Sequence, residues 1–198
     1  MHRRRHGDAG QAFPIYITVV GGLLFLAFAY FAVGQAAANR NDAQTAADAA
    51  ALAAAQDERD QLAGAWVDNL LDPTKWQAIF EGQAEGLGSS CWRADQLAAQ
   101  NDADVLSCSP GALSYTVVVE TNDTVGESVV PGTEDYKSQE QATAVIEPRC
   151  EFDLPTEDAG EDVLPLLTCE GREWKLDPKG PDELLPAPED LFDVHLAD

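Results

Sequence analysis

The longest uninterrupted apolar stretch lies near the N-terminus. From Ala12 to Val33 no residue carries a charge, and Val19, Val20, Leu23, Leu24, Phe25, Leu26, Phe28 and Phe31 fill it. These 22 residues make about 33 Å of helix, enough to cross a bilayer core. Pro14 fits the first helical turn, where its missing N–H has no acceptor, and Tyr16 and Tyr30 sit near the two interfaces, where a ring with a polar tip is favoured. Between Gln35 and Ala63 there is neither Gly nor Pro and alanine dominates, which predicts that the same helix continues as one rod from Pro14 to Gly64. Within it Ala43, Ala47, Ala50 and Ala54 recur at three- to four-residue spacing as a smooth packing surface. That surface faces either a neighbouring helix in an assembly or the protein's own globular part. Leu62, Trp66 and Leu70 extend the periodicity, Pro73 closes it, and Thr74 caps a short helix predicted to run to Ala84.

The pattern then changes period. Leu113, Tyr115, Val117 and Val119 alternate with polar neighbours, as do Ala142, Ala144 and Ile146, and again Phe192, Val194 and Leu196, predicting three strands. Leu166 to Leu176 is a weaker strand candidate interrupted by Gly171. The acidic, proline-bearing stretches Asp153 to Asp162 and Asp177 to Asp190 read as loops. The layout is α+β: a long N-terminal helix followed by a small antiparallel sheet. It divides into a basic tail (residues 1–11), a membrane helix (12–38), an alanine-rich helical extension (39–72) and an acidic α+β domain (73–198).

Charge adds a direction. Of the 12 Lys and Arg, Arg3, Arg4 and Arg5 precede the apolar run, whereas all but one of the 35 Asp and Glu follow it. Basic residues before a span stay in the cytoplasm, so the chain after about Asn39 is expected outside the cell membrane. Ala36-Ala37-Ala38 satisfies the small-x-small pattern of a cleaved secretory signal, but the apolar run is longer than a signal core, which favours a retained anchor. The net charge of -23, with Lys and Arg scattered among carboxylates, speaks against nucleic acid as a partner. It reads instead as a solvated, self-repelling surface.

The four cysteines, Cys91, Cys108, Cys150 and Cys169, all fall on the side expected outside, where disulfides persist. Three pairings exist, and joining near neighbours favours Cys91 with Cys108 and Cys150 with Cys169. Zinc is disfavoured, because no two cysteines stand two to four residues apart and no His lies near them. His195 alone would have to serve a catalytic triad in the exported part, and it occupies a polar place in a strand pattern. Gly82, Gly86 and Gly88 lack the strand and the Lys-Ser/Thr ending of a phosphate loop. No catalytic residue, cofactor or metal ligand is therefore assigned. Asn101, Asp102 and Asp104, or Glu157, Asp158, Glu161 and Asp162, offer hard oxygen ligands without the glycine and terminal glutamate of a calcium loop. The alternative function is accordingly a membrane-tethered domain that binds a small ligand or calcium.

The N-terminal third carries one further signal. A basic start, Gly10-Gln11-Ala12 leading into the span, and the block from Ala46 to Ala53 beyond it resemble the TadE/TadG-like proteins of Flp (tight-adherence) pilus assembly in bacteria. The resemblance implies a pilin-like layout and an envelope protein of a Tad/Flp-type pilus-assembly or secretion apparatus. It would act by protein–protein contact, without catalysis. Implied partners are other membrane proteins of that apparatus; the apolar run itself predicts lipid along Ala12 to Val33, and a homo-oligomer is a further expectation. One departure stands out: pilins cut by a prepilin peptidase usually carry glutamate five residues after the cleaved glycine, and here that place after Gly10 is Ile15.

Overall fold

The computed structural model describes residues 12–124, 135–154, 164–177 and 185–197. One helix, α1 (Ala12–Asp68), runs without a break through both the apolar run and the alanine-rich stretch. At 57 residues it is about 85 Å long. Its two halves differ in what covers them. Phe13, Leu24, Phe25 and Phe31 in the first half are exposed. In the second half Ala43, Ala46, Ala47, Ala50, Ala54, Leu62 and Trp66 are fully buried. The helix is hydrophobic all round before Gly34 and one-sided after Asn39, and that change marks where protein replaces solvent or lipid as its neighbour.

What covers the second half is a four-stranded antiparallel sheet of order β1-β2-β3-β7, built from β1 (Ala103–Pro110), β2 (Ser114–Thr121), β3 (Gln139–Pro148) and β7 (Phe192–Leu196). Tyr115, Val117 and Val119 on β2 and Ala142, Ala144 and Ile146 on β3 alternate inward. Alanines on α1 let the sheet approach the helix backbone closely. The sheet thus lies along the extension and not beyond its end, so α1 after Asn39 serves as the spine of the domain and holds nothing at a distance. A third helix, α3 (Cys91–Gln100), fills the flank beside β1.

Between α1 and α3, a 3-10 turn (Pro73–Lys75) leads into α2 (Trp76–Phe80), which stops four residues before the Ala84 expected from the sequence. The reason is Gly82, whose φ is +73°. Gly82 N–H donates to Ile79 O (3.0 Å) and Gln83 N–H to Ala78 O (2.7 Å), the paired bonds of a left-handed glycine cap. A second, three-stranded sheet of order β4-β5-β6 comprises β4 (Cys150–Phe152), β5 (Leu167–Cys169) and β6 (Arg172–Trp174). Gly171 does not interrupt a strand here. With Glu170 it forms the two-residue turn between β5 and β6, both at positive φ. The small sheet joins the core through Phe152, whose ring meets Trp76 and Phe80 of α2 with centroids 5.3 and 5.9 Å apart, and α2 in turn packs Trp76 on Trp66 and Phe80 on Phe192, each at 5.3 Å. The final helix, α4 (Pro188–Leu191), leads into β7.

Two disulfides staple this arrangement. Cys91–Cys108 ties the start of α3 to β1, with Cα atoms 5.9 Å apart, and Cys150–Cys169 joins directly opposed residues of β4 and β5, 4.0 Å apart. The α+β class, the long apolar helix, the antiparallel strands and the disulfide staples all agree with the sequence reading.

Candidate functional site

The four alanines singled out by spacing, Ala43, Ala47, Ala50 and Ala54, have no exposed surface. Of the two faces the spacing allowed, the structure covers this one with the chain's own sheet and α3. Surface available to other molecules therefore lies elsewhere on α1, in the apolar half before Gly34 and on the turn where burial begins.

That turn opens into a cavity of about 330 Å³, lined by Asn39, Asp42 and Thr45 of α1, Gln100, Asn101 and Asp102 at the α3–β1 corner, and Thr121 and Asp123 at the end of β2. Asp102 holds a positive φ of 52° at the corner, a conformation that Asp and Asn adopt more readily than most residues. Asn122 N–H donates to Asp102 O (2.8 Å), which closes the corner onto the end of β2. Asn39 is 9% exposed; its Nδ2 donates to Asp123 O (3.2 Å), while its Oδ1 is buried without a partner. The lining carries three carboxylates and no cationic side chain. Asn101 and Asp102, proposed as calcium ligands together with Asp104, meet here, but Asp104 is not among the lining residues. The second acidic cluster, Glu157 to Asp162, lies outside the described residues. Among the described residues no group of three or more His, Cys, Asp or Glu is placed to hold a metal ion.

A second polar feature, absent from the sequence reading, is enclosed deeper along α1. Glu58 is 6% exposed between Ala54 and Leu62 on the buried stripe, and it accepts a hydrogen bond from Tyr115 of β2. Ser90, fully buried at the position before α3, makes no cap bond with its side chain because its hydroxyl serves Tyr115 and accepts from Gln61 Nε2 (3.0 Å). Burial raises the Glu58 carboxyl above its ordinary value; the Tyr115 bond opposes this and the charge of Asp57 adds to it. Burial, and then the bond to Glu58, push the Tyr115 phenol up to about 12. A carboxylate at a core position of a helical stripe was the signal in the sequence. The pair is sealed from solvent and works as a polar strut between α1, α3 and β2.

His195 is exposed and its Nδ1 sits 3.2 Å from Asp193 Oδ2, an ion pair or hydrogen bond at the surface. The cysteines are bridged and none is free.

A helix long and apolar enough to cross a membrane thus forms, with its second half, the spine of a disulfide-stapled antiparallel domain. Residues 10–57 match the Tad family, described as Flp pilus-assembly TadE/G-like. That match covers the N-terminal part of the chain, ending one residue before the buried Glu58. No curated protein and no solved structure matches this chain.

Proposed function

We propose that this chain is a membrane-anchored envelope protein of a Tad/Flp-type pilus-assembly or secretion apparatus, acting through protein–protein contact. In this reading residues 1–11 lie in the cytoplasm, 12–38 cross the membrane, 39–72 form the spine and 73–198 complete an extracytoplasmic domain. The observation that carries it is the division of α1. Of the described helices one is long and apolar enough to cross a membrane, and its most apolar 18-residue window has no burial within the protein. That window leads directly into a helix that the domain grips. The similarity of residues 10–57 to a pilus-assembly family spans this junction and supports the same role.

Three positive-inside arginines before the span orient it, and oxidising surroundings suit two disulfides. The test is made in cells with tags at both ends. The chain is expected to resist alkaline carbonate extraction, with the C-terminal tag accessible to external protease, the N-terminal tag protected, and pilus-assembly components recovered by affinity purification in mild detergent. Release by carbonate, or a protected C-terminal tag, would sink the anchored reading. A correctly placed chain that recovers none of those components would sink the pilus-assembly role.

A further inference from the structure

The cavity beneath the first buried turn of α1 has the chemistry of a cation receptor. Asp42, Asp102 and Asp123 supply negative charge, and the nine-tenths buried Asn39 leaves a carbonyl-type oxygen without a donor. The carboxylates do not converge as metal ligands, and a space of about 330 Å³ is large for a bare ion. A planar guanidinium, with several N–H donors to share among dispersed oxygens, suits both facts.

One turn of α1 presents such a group on its other flank. The Arg40 side chain is 75% exposed and is held at Nε alone, by Glu140 Oε1 at 2.7 Å. At about 100° per residue, positions 40 and 42 point roughly 200° apart around the helix. Arg40 therefore leans toward β3 while Asp42 faces the α3–β1 corner. Chains anchored in one bilayer through the same segment share a common height, so the Arg40 of a neighbour arrives level with this cavity. Arg59, the next basic residue on α1, stands about 28 Å farther along the axis.

We infer that Arg40 of one copy enters the Asn39–Asp42–Asp102–Asp123 cavity of the next, joining copies side by side through unlike surfaces. The contact rests on the membrane-anchored reading. Because donor and receptor occupy opposite flanks, a joined pair keeps one of each free, and the contact propagates into a row or closes into a ring.

The experiment uses the full chain in liposomes, with subunit number read by single-molecule photobleaching at several protein-to-lipid ratios. Arg40→Asp and Asp42→Arg are each expected to weaken self-association about tenfold. Mixed together they are expected to form dimers that grow no further, since the intact cavity of the first accepts the intact Arg40 of the second. Arg40→Gln, at an exposed side chain, is the milder version and should lower association in the same direction. Unchanged association in the single variants overturns the inference, and so does failure of the mixture to pair while both variants keep the parent melting temperature. A rise in melting temperature with calcium chloride that Asp42→Asn abolishes also overturns it, by making the cavity a metal site. Carbonate extraction of the same liposomes separates the two levels: a chain that washes off refutes the anchored reading itself, whereas an embedded chain that does not associate refutes only the contact.

Discussion

The Tyr115 hydroxyl on β2 donates to the Glu58 carboxylate on α1, placing a buried acid and a phenol in the seam where helix and sheet meet. Burial raises the Glu58 carboxyl above its ordinary 4.5. The folded protein therefore holds that proton more tightly than the unfolded chain does. Stability from this group is complete below the ordinary value and is lost as pH rises through the raised one. Glu58→Gln should remove that loss. Denaturant midpoints of the parent and Glu58→Gln, measured in detergent from pH 4 to 8, should diverge in favour of the variant as pH rises. A difference that stays flat with pH would show that Glu58 is not held in this way.

Tyr115→Phe keeps the ring in the core and takes away the donor. The buried carboxylate then lacks its main partner, at a cost of about 1–3 kcal/mol near neutral pH. The same change should steepen the loss of stability with pH, since the bond that held the Glu58 carboxyl down is gone. Equilibrium unfolding of the variant at pH 5 and pH 8 tests both parts. A loss of equal size at the two values would assign the effect to packing alone.

The fold was legible wherever burial imposes a period. Tyr115, Val117 and Val119 declared β2, Ala142, Ala144 and Ile146 declared β3, and the uncharged run declared the first half of α1. The strand β1 was hidden because its register shifts between Val105 and Ser107, leaving Leu106 exposed and breaking the alternation. The helix α3 was hidden because it buries little beyond Ala94 and Ala98 and depends on Cys91–Cys108 to fix its start. The cavity draws on α1, the α3–β1 corner and the end of β2, a meeting that no local pattern announces. The alanine stripe was visible, yet spacing alone does not say which surface will cover it.

That stripe now makes a sharp claim about volume. Ala50 has no exposed surface against the sheet, so Ala50→Leu forces three extra carbons into close packing and should cost about 1–3 kcal/mol. Gln56, on the exposed side of the same helix, is the control. Gln56→Leu should change the unfolding midpoint by about 0.5 kcal/mol or less, as surface substitutions do. Equal tolerance at both positions would mean that the second half of α1 is not seated on the sheet.

The two disulfides close loops of nearly equal span, with separations of 17 and 19 residues. Chain entropy alone assigns each about 3 kcal/mol. Their removal should nevertheless differ in kind. Without Cys150–Cys169 the β4–β5 pairing and its aromatic contacts remain. Without Cys91–Cys108, α3 loses the tether at its start and its first turn should become the first site of limited proteolysis. Paired serine substitutions, followed by trypsin digestion and mass mapping, check this, with early cleavage expected after Arg93 in the Cys91/Cys108 variant only.

Gly82 and Gly86 share positive φ angles, +73° and +84°, but differ in surroundings. At Gly86 a Cβ meets open space, so Gly86→Ala carries only the strain of a left-handed backbone, about 1–2 kcal/mol. At Gly82 the added carbon collides with the carbonyl oxygen of Ala112 and with the Leu113 side chain, and backbone has no easy way to yield. Gly82→Ala therefore has to undo either the cap that ends α2 or the approach of residues 112 and 113 to it, and its cost should exceed that of Gly86→Ala by about 1 kcal/mol or more. Because α2 carries Trp76, Ile79 and Phe80 into the core, the loss should also appear as weaker near-ultraviolet circular dichroism in the native state. Identical unfolding midpoints for the two variants would show that the turn after α2 does not pack against the β1–β2 loop.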